Sequence, residues 1–460
     1  MVDGIILTEK SKEELIKIIL EKDKQVDDLA QQLQKQNKKI QELEEKIKKD
    51  RQKQYKKAHK PKHRWKKLGA PVGHRGATRP KPEIINHVVE QTLAQCPDCG
   101  HADLTPAPAK TAEHIQEDII PARVEATKFV RHAYWCPHCG AIKMASYAGH
   151  EVPCGYLGPN ILVQAVLMKY HQGLPYDKIK ESFSNFCGLN VTASALAQAL
   201  QRIAHWLNVE ERVIIEAIRK SPYVHMDETG WKIAGTNHWL WNFVNERLAL
   251  YRIRRSRGRD IPKEVMTKDY AGITISDFLS AYDKTGKLRQ RCLVHLKREM
   301  DRILEIDSGE DSKAVYKKLN RILNDAYRLN DLRKELTPLA FFHRLHLLQA
   351  RLFRFSTASY SSNHWQRISA RLIKYHREVL TFLIVPGLPS HNNHAERMIR
   401  PNVIFRKISF ENMSDKGARA HEVLMSLLQT LRLRKENAIE FFQKAYLSHR
   451  QGHTFVFMPP

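Results

Sequence analysis

Three carboxylates sit in unusually loaded segments of this chain: Asp227 in Tyr223-Val-His-Met-Asp-Glu-Thr-Gly-Trp231, Asp277 in Ile273-Thr-Ile-Ser-Asp277, and Glu396 in His391-Asn-Asn-His-Ala-Glu-Arg397. Brought together, two Asp and one Glu make an all-oxygen site for hard divalent cations, the chemistry of phosphodiester cutting and joining. One carboxylate alone reads as a cap or a surface charge. The third segment changes that weighing, because Ser390, Asn392 and Asn393 suit a helix start, after which Glu396, Arg397 and Arg400 fall on a short helix stopped by Pro401. A Glu beside two Arg, followed by Arg406-Lys407, can ligate a metal while the cations hold phosphates. Glu228 competes with Asp227, but strand neighbours point to opposite faces, so only one of the two can face such a site.

A second constellation is Cys96-Pro-Asp-Cys99-Gly100, answered by Cys136-Pro-His-Cys139-Gly140. Each half is a knuckle whose two thiolates are spaced to grip one tetrahedral Zn²⁺, with Gly after the second Cys permitting a turn that aims backbone N–H groups at sulfur. The segment Ile119–Trp135 between them reads as strand-rich, which suits a zinc ribbon over 89–150. Seven Cys is an odd count, which favours metal binding in a reducing compartment over a disulfide framework; Cys154 and Cys187 read as small buried residues.

The elements that position these groups follow from patterning. A chain of 460 residues exceeds one ordinary core and predicts several domains. Its formal charge of +26 favours a polyanionic partner, nucleic acid ahead of an anionic membrane surface. No signal-peptide order and no apolar run long enough to span a bilayer is present, so a cytoplasmic protein is expected. Over 11–50, Leu15, Ile19, Val26, Leu29, Leu33, Ile40, Leu43 and Ile47 alternate three and four residues apart once Lys22 and Gln36 are allowed in the seam, predicting a coiled coil and self-association. From Lys46 to Lys81 there are fifteen Lys/Arg and one acid, and the 51–88 stretch with its Gly and Pro reads as a basic linker tracking DNA backbone. Over 155–210 the pattern is helical: Ile161–Tyr170, Tyr176–Phe183, a break at Gly188, then a helix capped by Thr192 and running to about Trp206. This order resembles a helix-turn-helix, offering Ser194, Gln198 and Gln201.

From Ser221 the pattern becomes a short strand Tyr223–Met226, a hairpin of Trp239–Val244 and Leu248–Ile253, a crossover, and the strand 272–276. These elements predict a mixed sheet with helices on its faces, with Asp227 and Asp277 at strand ends.

In detail the chain resembles the transposases of the insertion-sequence-66 family, bacterial DDE enzymes. The matching pieces are His225-Met-Asp-Glu-Thr-Gly-Trp231, His238-Trp-Leu-Trp241, Tyr251-Arg to Ser256-Arg-Gly258, Ser276-Asp277 with Ala281-Tyr-Asp283, Arg291-Cys-Leu-Val-His295, Asn392-Asn-His-Ala-Glu-Arg397 through Arg406-Lys407, and Gly417-Ala-Arg-Ala-His421. The N-terminal segments occur in the family's order, so the resemblance covers nearly the whole chain. It departs at Phe278, where the family usually has Gly, and at Pro71-Val72-Gly73-His74, where the usual run is Pro-Gly-His.

The resemblance implies an RNase H-like α/β catalytic core over 221–410, with Asp227, Asp277 and Glu396 as a triad for Mg²⁺ or Mn²⁺. The 119 positions from Asp277 to Glu396 leave room for an inserted helical subdomain at about 300–385, and 411–460 is a C-terminal helical segment. The implied activity is metal-dependent strand cleavage and strand transfer on double-stranded DNA, at the element's terminal inverted repeats and at target DNA. Arg254, Arg255, Arg257, Arg397, Arg400, Arg406 and Lys407 would neutralise phosphates, structural Zn²⁺ would sit on Cys96, Cys99, Cys136 and Cys139, and the coiled coil would build a homodimer or higher oligomer. The expected location is the bacterial nucleoid. Two alternatives remain: a catalytically silent DNA-binding regulator or domesticated transposase, and an RNase H-like nuclease that cuts without joining.

Overall fold

The computed structural model describes residues 82–105, 114–119, 122–147, 151–152, 156–267 and 269–450, plus four isolated helical positions, Glu21, Gln25, Gln32 and Gln36. The expected coiled coil and most of the basic linker lie outside the described residues. The chain divides into two compact units, Met1–His114 and Ile115–Pro460.

The first unit contributes the knuckle at Cys96, where Gly100 (φ +75°) donates its N–H to the Cys96 carbonyl at 2.8 Å. The second unit repeats it on a hairpin of β1 (Ala133–Cys136) and β2 (Ala141–Met144), with Gly140 (φ +60°) donating to the Cys136 carbonyl at 2.9 Å. Among the described residues of Ile119–Trp135, only Ala133 onward is strand. The rest of the described segment forms no regular element and is largely exposed, so the β-branched composition there has no sheet to join.

Helices α1 (Pro159–Val166), α2 (Tyr176–Cys187), α3 (Ala193–Trp206) and α4 (Asn208–Arg219) precede the sheet. Gly188 takes the left-handed conformation (φ +66°) that ends α2, and the Thr192 hydroxyl accepts from the Ala195 N–H at 3.1 Å to start α3. The first helix does not run on smoothly to Tyr170: Leu167–His171 is a π-helical turn. Cys187 is half-buried rather than buried.

The core sheet has five strands in the order β5-β4-β3-β6-β7, where β3 is Tyr223–Ile233, β4 Thr236–Val244, β5 Ala249–Arg254, β6 Ile273–Ser276 and β7 Leu288–Arg291. β3 to β5 form an antiparallel meander, while β6 runs parallel to β3 and β7 parallel to β6. The core is thus α/β with a mixed sheet. β3 continues seven residues past the expected end at Met226, because a two-residue turn at Ala234-Gly235 (φ +47° and +77°) folds β4 back along its full length.

Helix α5 (Asp260–Met266) makes the crossover to β6. After β7 come α6 (Leu293–Ile306), α7 (Glu310–Asp331), α8 (Pro338–Thr357), α9 (Asn363–Lys374), and the single turns α10 (His376–Val379) and α11 (Thr381–Ile384). These helices share one core with Ile273 and Ile275 of β6, built on residues such as Leu319, Phe355, Trp365 and Phe382. A second core joins α1–α4, the β3–β5 meander, and the helices α12 (Asn393–Ser409), α13 (Asp415–Arg434) and α14 (Ala438–Arg450).

Pro401 does not stop the helix carrying Glu396. It lies inside the 17-residue α12, which continues although Pro lacks the N–H for residue 397's carbonyl. Burial of Met398, Ile399, Asn402 and Phe405 along one face outweighs that missing bond.

Candidate active site

Asp227 lies on β3 just beyond the last residue paired with β6, His225, and opposite Asn242 of β4. Asp277 follows the last residue of β6. Where parallel pairing ends, adjacent strands open a crevice, so two neighbouring strands present their carboxylates at one sheet edge. The loop after β6 is fixed from within: Asp277 Oδ1 accepts the Leu279 N–H at 2.9 Å, and the buried Arg291 guanidinium donates to the Asp277 carbonyl at 2.8 Å. Arg291 is itself held by Asp283 and Glu378, each at 2.7 Å. Phe278, the departure from the family pattern, packs edge-on against Tyr375 at 5.8 Å with Arg371 above its ring, so this loop leans on the helical insertion.

Glu396 arrives from α12, which side chains of the sheet hold by its backbone. Asn242 Nδ2 donates to the Ala395 carbonyl at 2.9 Å and Tyr251 Oη to the Met398 carbonyl at 2.6 Å, bracketing Glu396. At the helix start, buried Asn392 donates from Nδ2 to the Met226 carbonyl at 2.7 Å and presents Oδ1 to His225 Nδ1 at 3.0 Å. That assignment puts the imidazole proton on Nδ1. His394 Nε2 donates to the Asn245 carbonyl at 2.7 Å, and the Asn392 N–H meets Cys292 Sγ at 3.1 Å. Asn392, His394, Asn242 and Tyr251 were not singled out in the sequence as positioning residues. The partners of these side chains lie 147 to 167 positions away along the chain, and no local pattern encodes such a pairing.

The carboxylates sense one another. Burial raises the Asp227 carboxyl well above its ordinary value, and the negative charges of Glu228, Asp277 and Glu396 add to the rise. Glu228 is also raised, first by burial and then by Asp277, against stabilising hydrogen bonds from Tyr282 and Arg257. Its side chain is 2% exposed, with Arg257 Nη2 at 2.8 Å and the Tyr282 hydroxyl bonded to the other oxygen. Burial and the carboxylates of Glu228, Asp227 and Asp277 push the Tyr282 phenol upward in turn.

Glu396 is engaged on both oxygens by Arg298 of α6, at 2.9 and 3.2 Å, with His295 Nε2 at 3.5 Å. Among the described residues no group of three His, Cys, Asp or Glu is drawn together tightly enough to hold a metal ion. The donor chemistry of Asp227, Asp277 and Glu396 nonetheless fits a hard divalent cation: oxygen only, with the Asp227 carboxyl raised first by burial and then by neighbouring carboxylates. The Cys-x-x-His pair after β7 divides its work, buried Cys292 accepting from Asn392 and His295 facing Glu396.

The expected phosphate-binding cations separate into two groups. Arg254 is occupied by Glu264 and Glu422, each at 2.7 Å, and Arg406 donates to the Gly230 carbonyl, so both tie elements together. Arg257 is shared between Glu228 and the Trp239 ring, while Arg255, Arg397, Arg400 and Lys407 are exposed.

At each knuckle backbone N–H groups turn toward the first sulfur. Backbone N–H groups of Cys99 and Asp98 lower the Cys96 thiol, and the Cys139 N–H, at 3.5 Å from Cys136 Sγ, does the same there. Among the described residues no helix is long and apolar enough to cross a membrane.

Residues 154–420 match the model of the Transposase IS66 family, and residues 94–140 match the zinc-finger binding domain of transposase IS66. The chain is also similar to the uncharacterized protein y4qI of Sinorhizobium fredii, 23% identical over 406 residues, covering 80% of this chain and 73% of that protein. A second relative from the same organism, the uncharacterized protein y4hP, is 22% identical over 403 residues, 78% of this chain and 71% of its own length. A zinc-finger domain with a zinc site thus precedes a transposase domain that spans more than half of the chain, and the protein belongs to the IS66 transposase family.

Proposed function

We propose that the protein binds the ends of its insertion sequence and catalyses metal-dependent DNA cleavage and strand transfer, with Asp227, Asp277 and Glu396 as the catalytic carboxylates on an RNase H-like core. The observation that carries this reading is geometric: Asp227 on β3 and Asp277 at the end of β6 stand where two neighbouring parallel strands part, and Glu396 lies on α12, whose backbone is bonded to β4 and β5 on either side of it. The RNase H-like reading is supported by an antiparallel three-strand meander extended by two parallel strands on the side of its first strand. Bound Mg²⁺ or Mn²⁺ would supply Lewis acidity at the scissile phosphate and lower the pKa of an attacking hydroxyl.

The chain's own residues orient the reacting groups. Asn242, Tyr251 and Asn392 fix the helix of Glu396, Arg291 fixes the loop of Asp277, and the exposed Arg255, Arg397, Arg400 and Lys407 offer cations to backbone phosphates. Cys96, Cys99, Cys136 and Cys139 would hold Zn²⁺, the N-terminal heptads would assemble a homo-oligomer, and Ser194 and Gln198, exposed on α3, would face DNA. The scheme needs no covalent protein–DNA intermediate.

The test is Asp277→Asn with Mg²⁺ and a fragment bearing the element's own terminal repeats. The parent is expected to cleave at those ends and to join a supplied 3′-hydroxyl end to new DNA; the variant is expected to bind without cleaving. Cleavage by the variant at the parental rate refutes the triad, and cleavage by the parent without joining marks a nuclease instead.

A further inference from the structure

Helices α7 and α8 of the insertion pack against each other, and together they line an open groove of about 570 Å³. Lys317, Lys318 and Arg321 line it from α7, and Arg351 and Arg354 line it from α8, above a floor that includes Ala314 and Ile322. On α7 the positions 314, 317, 318 and 321 form one i, i+3, i+4, i+7 stripe; on α8 the two Arg are three apart. Two cationic rows from different helices therefore face a common space. A solvated charge run would decorate a single helix face.

Among the described residues, Arg351 is the one groove cation with a carboxylate at ion-pair distance, Asp325 at 2.7 Å. The contrast with other cations nearby in the chain is clear: Arg289 and Arg291 of β7 pair with Glu378, Arg371 with Glu299, and Lys374 with Asp283. Five cations with a single carboxylate among them repel one another, and an external polyanion relieves that repulsion. The Arg forks and Lys ammonium groups are the donors suited to phosphate oxygens.

The lining also identifies the kind of nucleic acid. No aromatic side chain lines the groove, so there is no platform on which unpaired bases could stack. From Lys317 to Arg321 the cations of α7 span ~6 Å at 1.5 Å per residue, the axial reach of about two phosphates on one strand of a duplex.

We propose that the α7–α8 groove holds the phosphate backbone of double-stranded DNA, sequence-blind and outside the carboxylate site. The choice of DNA as the polyanion rests on the strand-transfer reading above. The geometry of the groove does not depend on the triad.

The experiment uses the full chain in an Asp277→Asn background, with a duplex of arbitrary sequence lacking the element's ends. Affinity is followed by fluorescence anisotropy between roughly 50 and 200 mM salt. Combined Lys317→Gln, Lys318→Gln and Arg321→Gln is expected to make the slope of log K against log salt shallower by roughly 2 to 3, at ~0.9 for each phosphate that is no longer neutralised. The charge-conserving set Lys317→Arg, Lys318→Arg and Arg321→Lys is expected to keep the parental slope, which altered packing alone would not. An unchanged slope in the neutral variant overturns the proposal, and an equal loss for a single-stranded probe of the same length overturns its assignment to duplex. No cleavage is read, so a failure of the triad leaves this result standing, and a flat result here leaves the triad standing.

Discussion

Asn392→Ala tests whether the third carboxylate is positioned by a buried polar clasp. Asn392 is fully buried and makes two side-chain hydrogen bonds, to His225 Nδ1 at 3.0 Å and to the Met226 carbonyl at 2.7 Å. Truncation removes both and leaves a buried donor and a buried acceptor unmatched, since neither solvent nor another side chain reaches them. His225 has no second route, because its Nε2 is buried without a partner. At ~1 kcal/mol per lost bond and ~1–3 kcal/mol for each stranded group, with partial relaxation, the expected destabilisation is about 3 kcal/mol. For the unit that contains the sheet, Ile115–Pro460, this lowers Tm by ~4 °C. Both losses fall between β3 and the start of α12, on the path from Asp227 to Glu396. Cleavage of a terminal-repeat substrate should therefore drop well below what the remaining folded fraction explains, at a temperature where the variant is still folded. Thermal melting followed by tryptophan fluorescence, paired with a cleavage assay normalised to folded protein, separates the two effects. A variant that melts within ~1–2 °C of the parent, or one that melts early yet cleaves normally per folded molecule, refutes the clasp.

Two further outcomes can be measured independently. Lys169, in the π-helical turn, lies over the rings of Tyr176 and Phe405 at 4.4 and 4.7 Å, and burial lowers its ammonium to about 8 from the usual 10.5. Between those values the unfolded chain binds more protons, so stability rises from pH 8 to 10.5, by at most ~3 kcal/mol at 1.36 kcal/mol per pH unit. The Tm difference between the parent and Lys169→Met should shift in the parent's favour over that range, and a pH-independent difference would contradict it. Cys96→Ser combined with Cys136→Ser should release the zinc of the purified chain, read by metal analysis after dialysis; unchanged metal content would sink the four-cysteine assignment.

What was legible in the sequence is chemistry that acts over a few residues. The αL glycine at Gly188, the Thr192 cap and both cysteine knuckles stand where their local patterns put them, because a cap or a tight turn is decided within four positions. The carboxylate segments were legible for a related reason, since charged and amide groups so dense are poor core and poor loop alike. Pro401 misled because the rule that Pro ends a helix concerns one backbone bond, whereas α12 is held by a buried face and by side chains from β4 and β5. Segment 122–132 misled in the opposite sense: its composition suits a strand, but a strand exists only with a partner edge. The alternation argument for Asp227 and Glu228 left out Tyr282 and Arg257, which give the second carboxylate a separate, closed socket.

The uninterrupted run of α12 makes it a strut. Near its first turn stands Glu396; at its far end Ser409 donates to the Gly173 carbonyl at 2.7 Å and meets Lys169 Nζ at 3.2 Å, while Phe405 stacks on Tyr170. From 396 to 409 that is ~20 Å of stiff rod at 1.5 Å per residue, anchored at one end in the sheet and at the other in the helices that precede it. The third carboxylate and the π-helical turn with the residues just after it, 167–173, are therefore joined through one helix. A load applied at that turn would run lengthwise toward Glu396, and the missing backbone bond at Pro401 is the point where the strut would yield first.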